Sequence, residues 1–195
     1  MPRIRDNLLK SFENDKVFRF LHVPVQSGSN DVLNNMKRGH TVQTFIDVVR
    51  KFSVKFGSFT ISTDIIVGYP TETREDFEET IDLLKETRPD IVNLSRYSKR
   101  PGTDAAKMNQ IDAAEIKRRS KRTTELVNEI SLENNKKWIG WKGRVLFDEN
   151  LDDQIKGRNF AYKPIFVNDG IEIGQSYTVK VTSATNHSLV GEIAS

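Results

Sequence analysis

The sequence predicts an α/β chain whose parallel strands alternate with helices, followed by a small antiparallel β-barrel. Runs rich in β-formers at Val17 to Val25, Phe59 to Val67 and Ile91 to Ser98 are separated by amphipathic helical stretches, the pattern of right-handed parallel crossovers. Each run is also two-faced, with apolar side chains on one side and polar ones on the other. After Gly140 the helical period ends and short β-rich runs begin, separated by turn-forming residues.

Residues 3 to 13 carry Ile4, Leu8, Leu9 and Phe12 at helical spacing, which predicts a surface helix. The first strand sets Leu21, Val23 and Val25 on one face and Phe20, His22 and Gln26 on the other. Ser27-Gly28-Ser29 turns the chain into a short helix with Val32, Leu33 and Met36, and Gly39 suits its left-handed C-cap. Thr41 caps a longer helix whose stripe is Val42, Phe45, Val49, Phe52 and Phe56, and Gly57 stops it. In the second strand Ile61, Thr63, Ile65 and Val67 face the helices, while Thr60, Ser62 and Asp64 line the other side, which would bury Asp64 on an inner face. A carboxylate there needs partners, because an unpaired buried charge is costly.

Gly68-Tyr69-Pro70 breaks this strand. Thr73-Arg74-Glu75-Asp76 then opens a helix with a capping-box pattern, Phe77, Ile81 and Leu84 inward, and Pro89 at its end. The third strand opposes Val92 and Leu94 to Asn93, Ser95 and Tyr97. An inner face of His22, Gln26, Ser62, Asp64, Asn93, Ser95 and Tyr97 describes a cavity that holds a polar ligand. A hydrogen-bonded polar core, or a different assignment of faces, would give the same pattern. A loop at Arg100 to Thr103 and a long helix from Ala113 to Trp138 follow. Lys142 to Phe147, Phe160 to Val167, Ser176 to Thr182 and Leu189 to Ile193 complete an antiparallel barrel of about 55 residues. The expected division is 1–138 and 139–195.

At 195 residues with 36% hydrophobic content, the chain can bury a real core. No run approaches the roughly 18 apolar residues of a membrane span, and Met1 to Arg5 lack the apolar core of a signal peptide, so a cytoplasmic location is expected. Zero cysteines exclude disulfides and cysteine-held metal within these residues. His22, His40 and His187 show no metal-ligand spacing and read as structural. The net charge of +3 includes a basic cluster at Lys117 to Arg122, which suits either a polyanion or a solvated helix face. Trp138 and Trp141 suit packing between the long helix and the barrel better than stacking on bases.

Several segments, in order, resemble the radical S-adenosylmethionine (SAM) tRNA methylthiotransferases. They are Leu21-His22-Val23-Pro24-Val25-Gln26-Ser27-Gly28-Ser29, Met36-Lys37-Arg38-Gly39-His40-Thr41, Ser62 to Pro70, Glu72-Thr73 and Arg100-Pro101-Gly102-Thr103. Residues 140 to 195 resemble the TRAM domain, a small OB-like RNA-binding barrel. Glu129 to Trp141 and Gly157 to Pro164 are most similar to the archaeal and eukaryotic branch, whose substrate is threonylcarbamoyladenosine beside the tRNA anticodon.

The resemblance implies the second half of a radical-SAM partial (βα) barrel, which holds SAM against a four-iron–four-sulfur cluster for methylthiolation of adenine C2. Carried over by motif, Gln26 and Asp64 would hold the ribose hydroxyls and Arg38 the methionine carboxylate. Ser27, Ser62 and Tyr97 would line the cavity. The RNA-binding candidates are Arg158, Phe160, Tyr162 and Lys163, a basic and aromatic mixture, with tRNA as the partner and the sulfur donor unassigned. No residue of this chain is expected to be a catalytic group or a metal ligand. The sequence also departs from the family: the cluster-binding cysteines are missing, so the chain alone should be inactive. Tyr69, Thr71, Lys37 and Lys99 stand where the family usually has Phe, Gly, Asn and Pro, and Thr71 would resist a glycine's backbone angles. The other reading is a non-catalytic RNA-binding protein that keeps the half barrel and the TRAM domain.

Overall fold

The computed structural model describes residues 6–151, 154–168 and 170–194. Ile4, Asp152, Asp153 and Asp169 lie outside them. Two hydrophobic clusters organise the chain. The first packs Val25, Ile61, Ile65 and Val67 of the sheet against Phe45, Phe52, Phe77, Ile81 and Leu84 of the helices. The second fills the barrel with Val145, Phe147, Ile165, Val179, Val181 and Leu189, and takes in Trp138.

The chain order is α1 (Asp6–Ser11), β1 (Phe20–His22), α2 (Asn30–Asn35), α3 (Val42–Lys55), β2 (Thr60–Val67), α4 (Arg74–Thr87), β3 (Ile91–Arg96), a single 3₁₀ turn (Asp104–Lys107) and α5 (Ala113–Lys136). Strands β1, β2 and β3 form a parallel sheet in that order, with His22 level with Ser62, Asp64 with Asn93 and Ile66 with Ser95. The first strand is shorter than its composition suggests, because Pro24 has no N–H to offer a ladder. The buried Thr63 hydroxyl mends the gap, donating to Val23 O at 2.8 Å and accepting from Val25 N at 3.1 Å. Gln26 then rejoins β2 as a parallel bridge to Ile65.

Strands β4 (Lys142–Leu151), β5 (Gln154–Arg158), β6 (Pro164–Val167), β7 (Ser176–Ala184) and β8 (Leu189–Ile193) close a barrel in the order β4-β5-β6-β8-β7. Two points differ from expectation. β5 was not foreseen, and β6 pairs with β8 in parallel, so the barrel is mixed. Its sequence, QIKGR, carries one buried side, where Gly157 faces Val145 and Phe147, so no apolar alternation marks it.

Helix ends follow their chemistry. Thr73 and Asp76 form a full capping box, and Thr41 accepts from Thr44 N at 3.3 Å. The left-handed residue after α2 is Lys37 (φ 56), not Gly39. Arg38 N donates to Leu33 O at 2.9 Å and Lys37 N to Asn34 O at 2.9 Å, the pairing of a Schellman motif, so the helix ends two residues earlier than Gly39 would require.

Helix α5 is bound to α4 by charge. Arg122 pairs with Glu78, Arg119 reaches Glu115 and Glu72, and both guanidiniums lie over the Phe77 ring at 5.4–5.5 Å. Much of the basic cluster at Lys117 to Arg122 is therefore engaged within the molecule. Arg118 and Arg119 hold the Glu115 carboxyl down to about 2. A carboxyl lowered on folding contributes stability that is present above its unfolded value of 4.5 and is lost as pH falls toward 2. Thermal denaturation should show a melting temperature that declines between about pH 5 and pH 2. Glu115→Gln should flatten that decline, and an unchanged pH profile in the variant would contradict the assignment.

Candidate functional site

The polar sides of β1, β2 and β3 meet on one open face of the sheet. Asp64 sits at its centre, its Oδ1 accepting from Asn93 Nδ2 at 2.9 Å and its Oδ2 lying 3.2 Å from His22 Nε2. The expectation that Asp64 is buried is corrected here: its side chain is 31% exposed, although Thr60 and Ser62, earlier on the same side of β2, are buried. Asn93 and His22 fix the carboxylate without closing it off.

Gln26 reaches the same level along the sheet. Its N–H donates to Asp64 O at 2.8 Å and its carbonyl accepts from Ile66 N at 2.9 Å, with the residue itself in the left-handed region at φ 78. A non-glycine residue there is strained and persists only when its surroundings hold it. Those two backbone bonds do so, and they tie Gln26 to the strand that carries Asp64.

Beyond Asp64 the face continues into a cleft of about 570 Å³, lined by Ile66, Ser95, Arg96, Tyr97, Arg100, Asp104 and the α2 C-terminus from Asn35 to Arg38. Arg38 is the residue that follows the left-handed Lys37, so the Schellman turn sets where its side chain starts. Three departures from the family pattern strengthen that turn. Tyr69 Oη donates to Asn35 O at 2.9 Å, Asn35 Nδ2 donates to Thr71 Oγ1 at 3.0 Å, and Lys37 Nζ pairs with Asp104 at 2.6 Å. Phe and Gly carry no polar side-chain atom for the first two bonds, and Asn carries no charge for the third. Thr71 is not in a left-handed conformation, so the strain expected of it does not arise.

Two proposed wall residues are placed differently. Ser27 is fully buried and turned toward α4, its Oγ 3.4 Å from Thr80 Oγ1 and accepting from Ser29 N. The reason is Gly28, where a Cβ would sit 2.4 Å from Thr80 Cα: the turn lies flat on α4. Ser62 shares the polar face with Asp64 but is only 2% exposed. Asp64 stays on the polar face and Arg38 and Tyr97 line the cleft, while Gln26, 7% exposed, is placed by its backbone bonds beside β2.

At the far end of the sheet the barrel is docked. Lys163 Nζ, with its side chain 5% exposed, donates to Asp90 Oδ1 at 2.7 Å and to Asn135 Oδ1 at 2.9 Å. Asp90 also accepts from Ile61 N at 2.9 Å, and Asn135 Nδ2 donates to Thr185 O at 2.9 Å. Lys163 is thus a seam residue: its ammonium is spent inside the protein, which corrects its placement among groups open to RNA. Arg158 lies 4.0 Å over the Tyr162 ring, which also packs on Phe18 and Phe20. Phe160 packs on Trp138 and Trp141 and is 38% exposed. The tryptophans do join helix and barrel, as expected. Among the described residues no cluster of His, Cys, Asp or Glu could hold a metal ion, and no helix is long and apolar enough to cross a membrane.

Residues 1–84 match the radical SAM superfamily model. The chain is 44% identical to a probable threonylcarbamoyladenosine tRNA methylthiotransferase of Archaeoglobus fulgidus, over 98% of this chain and 45% of that protein. A relative of the same name from Methanocaldococcus jannaschii is 43% identical over 97% of this chain and 43% of its own length. A tRNA-2-methylthio-N(6)-dimethylallyladenosine synthase of Clostridium botulinum is 39% identical over 91% of this chain and 41% of its own length. The chain therefore spans less than half the length of these relatives.

Sequence reasoning did not find Asn93 and His22 as supports of Asp64, nor the use of Lys163. Asn93 was legible as a polar residue level with Asp64, since both fall on the same side of neighbouring strands. Lys163 carried no such signal, because its partner Asp90 lies 73 residues away. Lys163→Met would leave Asp90 nearly buried with only a backbone donor. The expected loss is toward the lower end of the roughly 3–5 kcal/mol typical of a broken buried pair. Urea denaturation measures it, and an unchanged midpoint would refute the seam.

Proposed function

We propose that the chain is the C-terminal portion of a tRNA methylthiotransferase that adds a methylthio group to C2 of N6-threonylcarbamoyladenosine next to the anticodon. The observation that supports this most is the polar face, where an oriented, partly exposed carboxylate stands near a cleft lined by a guanidinium that has no carboxylate partner among the described residues. On this reading residues 1–138 form the second half of the partial barrel and 139–195 the RNA-binding barrel, in a cytoplasmic protein.

The residues present fit SAM. Asp64 keeps lone pairs free after bonding Asn93 and His22, which suits two ribose hydroxyls. Arg38 is exposed in the cleft, has no carboxylate partner among the described residues, and offers the planar fork that matches the methionine carboxylate. Gln26 is tied through its backbone to Asp64 and Ile66. When bound, SAM supplies the one-electron chemistry and the methyl group of the reaction, and the protein's part is to bind and orient it. The residues present do not fit an iron–sulfur cluster, since the chain contains no cysteine, and on this reading the chain alone is inactive.

For tRNA, the barrel offers above all the exposed edge of Phe160, since Arg158 is engaged with Asp148 and the Tyr162 ring, which also packs on Phe18 and Phe20. Lys163 contributes by holding the barrel in place. Aromatic stacking of this kind is sequence-tolerant and only weakly screened by salt.

The SAM assignment is tested by calorimetry. Asp64→Ala should weaken SAM binding by ~1.5–3 kcal/mol, the value of hydrogen bonds to a charged acceptor, and Asp64→Asn should weaken it less. Equal affinity of both variants and the parent chain would return Asp64 to a purely structural role.

A further inference from the structure

The cleft beyond Asp64 is lined by two segments that lie far apart in the chain. The end of α2 contributes Asn35 to Arg38, and the stretch after β3 contributes Arg100 and Gly102 to Ala105. The second stretch has few ties to the rest of the protein. Among the described residues, the hydrogen bonds of residues 100–108 close within residues 100–110, with one exception: Lys37 Nζ donates to Asp104 Oδ2 at 2.6 Å. The other attachment is apolar and small. Ala105 is buried with Val32 and Tyr69, and Met36, Tyr97 and Met108 pack around them, apart from the two larger cores. A segment with so few buried contacts opens far more easily than the fold as a whole. Gly102 gives it a place to turn: it stands in the left-handed region at φ 82, where a Cβ would meet nothing within 4 Å.

Two further observations concern how this segment is fastened. Lys37 is the left-handed residue of the turn before Arg38, at φ 56, a backbone that asparagine and glycine adopt more readily than lysine. What lysine adds there is reach to Asp104. Its hydrogen bond holds the Asp104 carboxyl below the ordinary range, so the pair is charged at neutral pH. Both side chains are largely exposed, at 77% and 67%, which makes the pair a fastening that parts easily and that salt weakens. The second observation is the Tyr97 hydroxyl, which is buried and has no hydrogen-bond partner. The packed cluster bears the cost of that stranded group, and water removes it once the cluster parts.

We propose that residues 100–108 form a strap that opens over the cleft, latched to the turn that presents Arg38 by the Lys37–Asp104 pair, and that this latch governs how fast the cleft exchanges its ligand. Taking that ligand to be the amino-acid end of SAM rests on the functional reading above. The strap and its latch do not depend on it.

The full chain has no cysteine, so Ala105→Cys puts a single thiol on the buried side of the strap. Its labelling by iodoacetamide, a neutral reagent that surface charge does not steer, reads the population of the open strap. Adding K37N, which keeps a residue suited to the left-handed position, should speed labelling about two- to fivefold, the factor that an exposed ion pair carries. D104N should do the same, and the reversed pair K37D/D104K should restore the slow rate. Raising the salt should speed labelling of Ala105→Cys alone and change the K37N form little. Hydrogen exchange of the Ala106 and Met108 amides, which bond Thr103 O and Ala105 O, gives the same comparison in chains without the reporter. Rates unaffected by K37N and D104N in both measurements, or left fast by the reversed pair, would overturn the proposal. S-adenosylhomocysteine separates the two levels. Bound at saturation, it should slow labelling. If calorimetry shows that it binds and labelling is not slowed, the gating falls and the SAM reading stands. If it does not bind, the SAM reading falls and the strap stands or falls on the rates without ligand.

Discussion

The arrangement of this chain depends on a buried charge pair at the end of β2. Glu72 has no exposed side-chain surface, and Arg119, 6% exposed, reaches it from α5 at 2.6 Å while also bonding its carbonyl at 2.9 Å. Gly68 adds a backbone donor at 2.8 Å, which its positive φ of 81° allows. Burial still pushes the Glu72 carboxyl above its ordinary range, against the pull of Gly68 and Arg119, and its Oε1 has no partner. Such a pair is a poor source of net stability but a strong constraint on geometry, since losing either partner strands the other. It fixes the loop from Gly68 to Thr73, and with it Tyr69 and Thr71, which hold Asn35 and the turn that presents Arg38.

Helix α5 carries that constraint to the other end of the molecule. Its first half is tied to α4 and the β2 loop by Arg119 and Arg122. Its last turns bond Arg88 O, Asp90 O and Thr185 O through Asn134, Ser131 and Asn135. Lys163 closes the joint from the barrel side. The cleft and the barrel therefore sit at opposite ends of one sheet, linked through a single helix, so a substrate held by the barrel and a cofactor held at Asp64 would be kept in a fixed relation.

Much of this could be read from the sequence where the signal was local. Alternation in β2 correctly separated Ile61, Ile65 and Val67 from Ser62 and Asp64, because strand period is set by the backbone itself. Thr73 and Asp76 announced their capping box. The failures were long-range or conformational. The resemblance puts Ser27 on the cavity wall, but the close approach of Gly28 to α4 turns it away, and no pattern within the motif reports that contact. Gly39 suits the left-handed turn by residue type, whereas the hydrogen bonds of the helix end place that turn at Lys37. Asp64 was expected to be buried because alternation says which side a residue faces but not whether anything covers that side. β5 escaped because a strand with a glycine on its inward position lacks the apolar alternation by which strands are recognised.

The central claim is that the open polar face is a SAM-binding surface organised by Asp64 and Arg38. A crystal structure of this chain soaked with S-adenosylhomocysteine tests it directly. The account predicts ribose hydroxyls within hydrogen-bonding distance of the Asp64 carboxylate and the amino-acid carboxylate on the Arg38 guanidinium. Ligand bound elsewhere, or none on this face at saturating concentration, would contradict it.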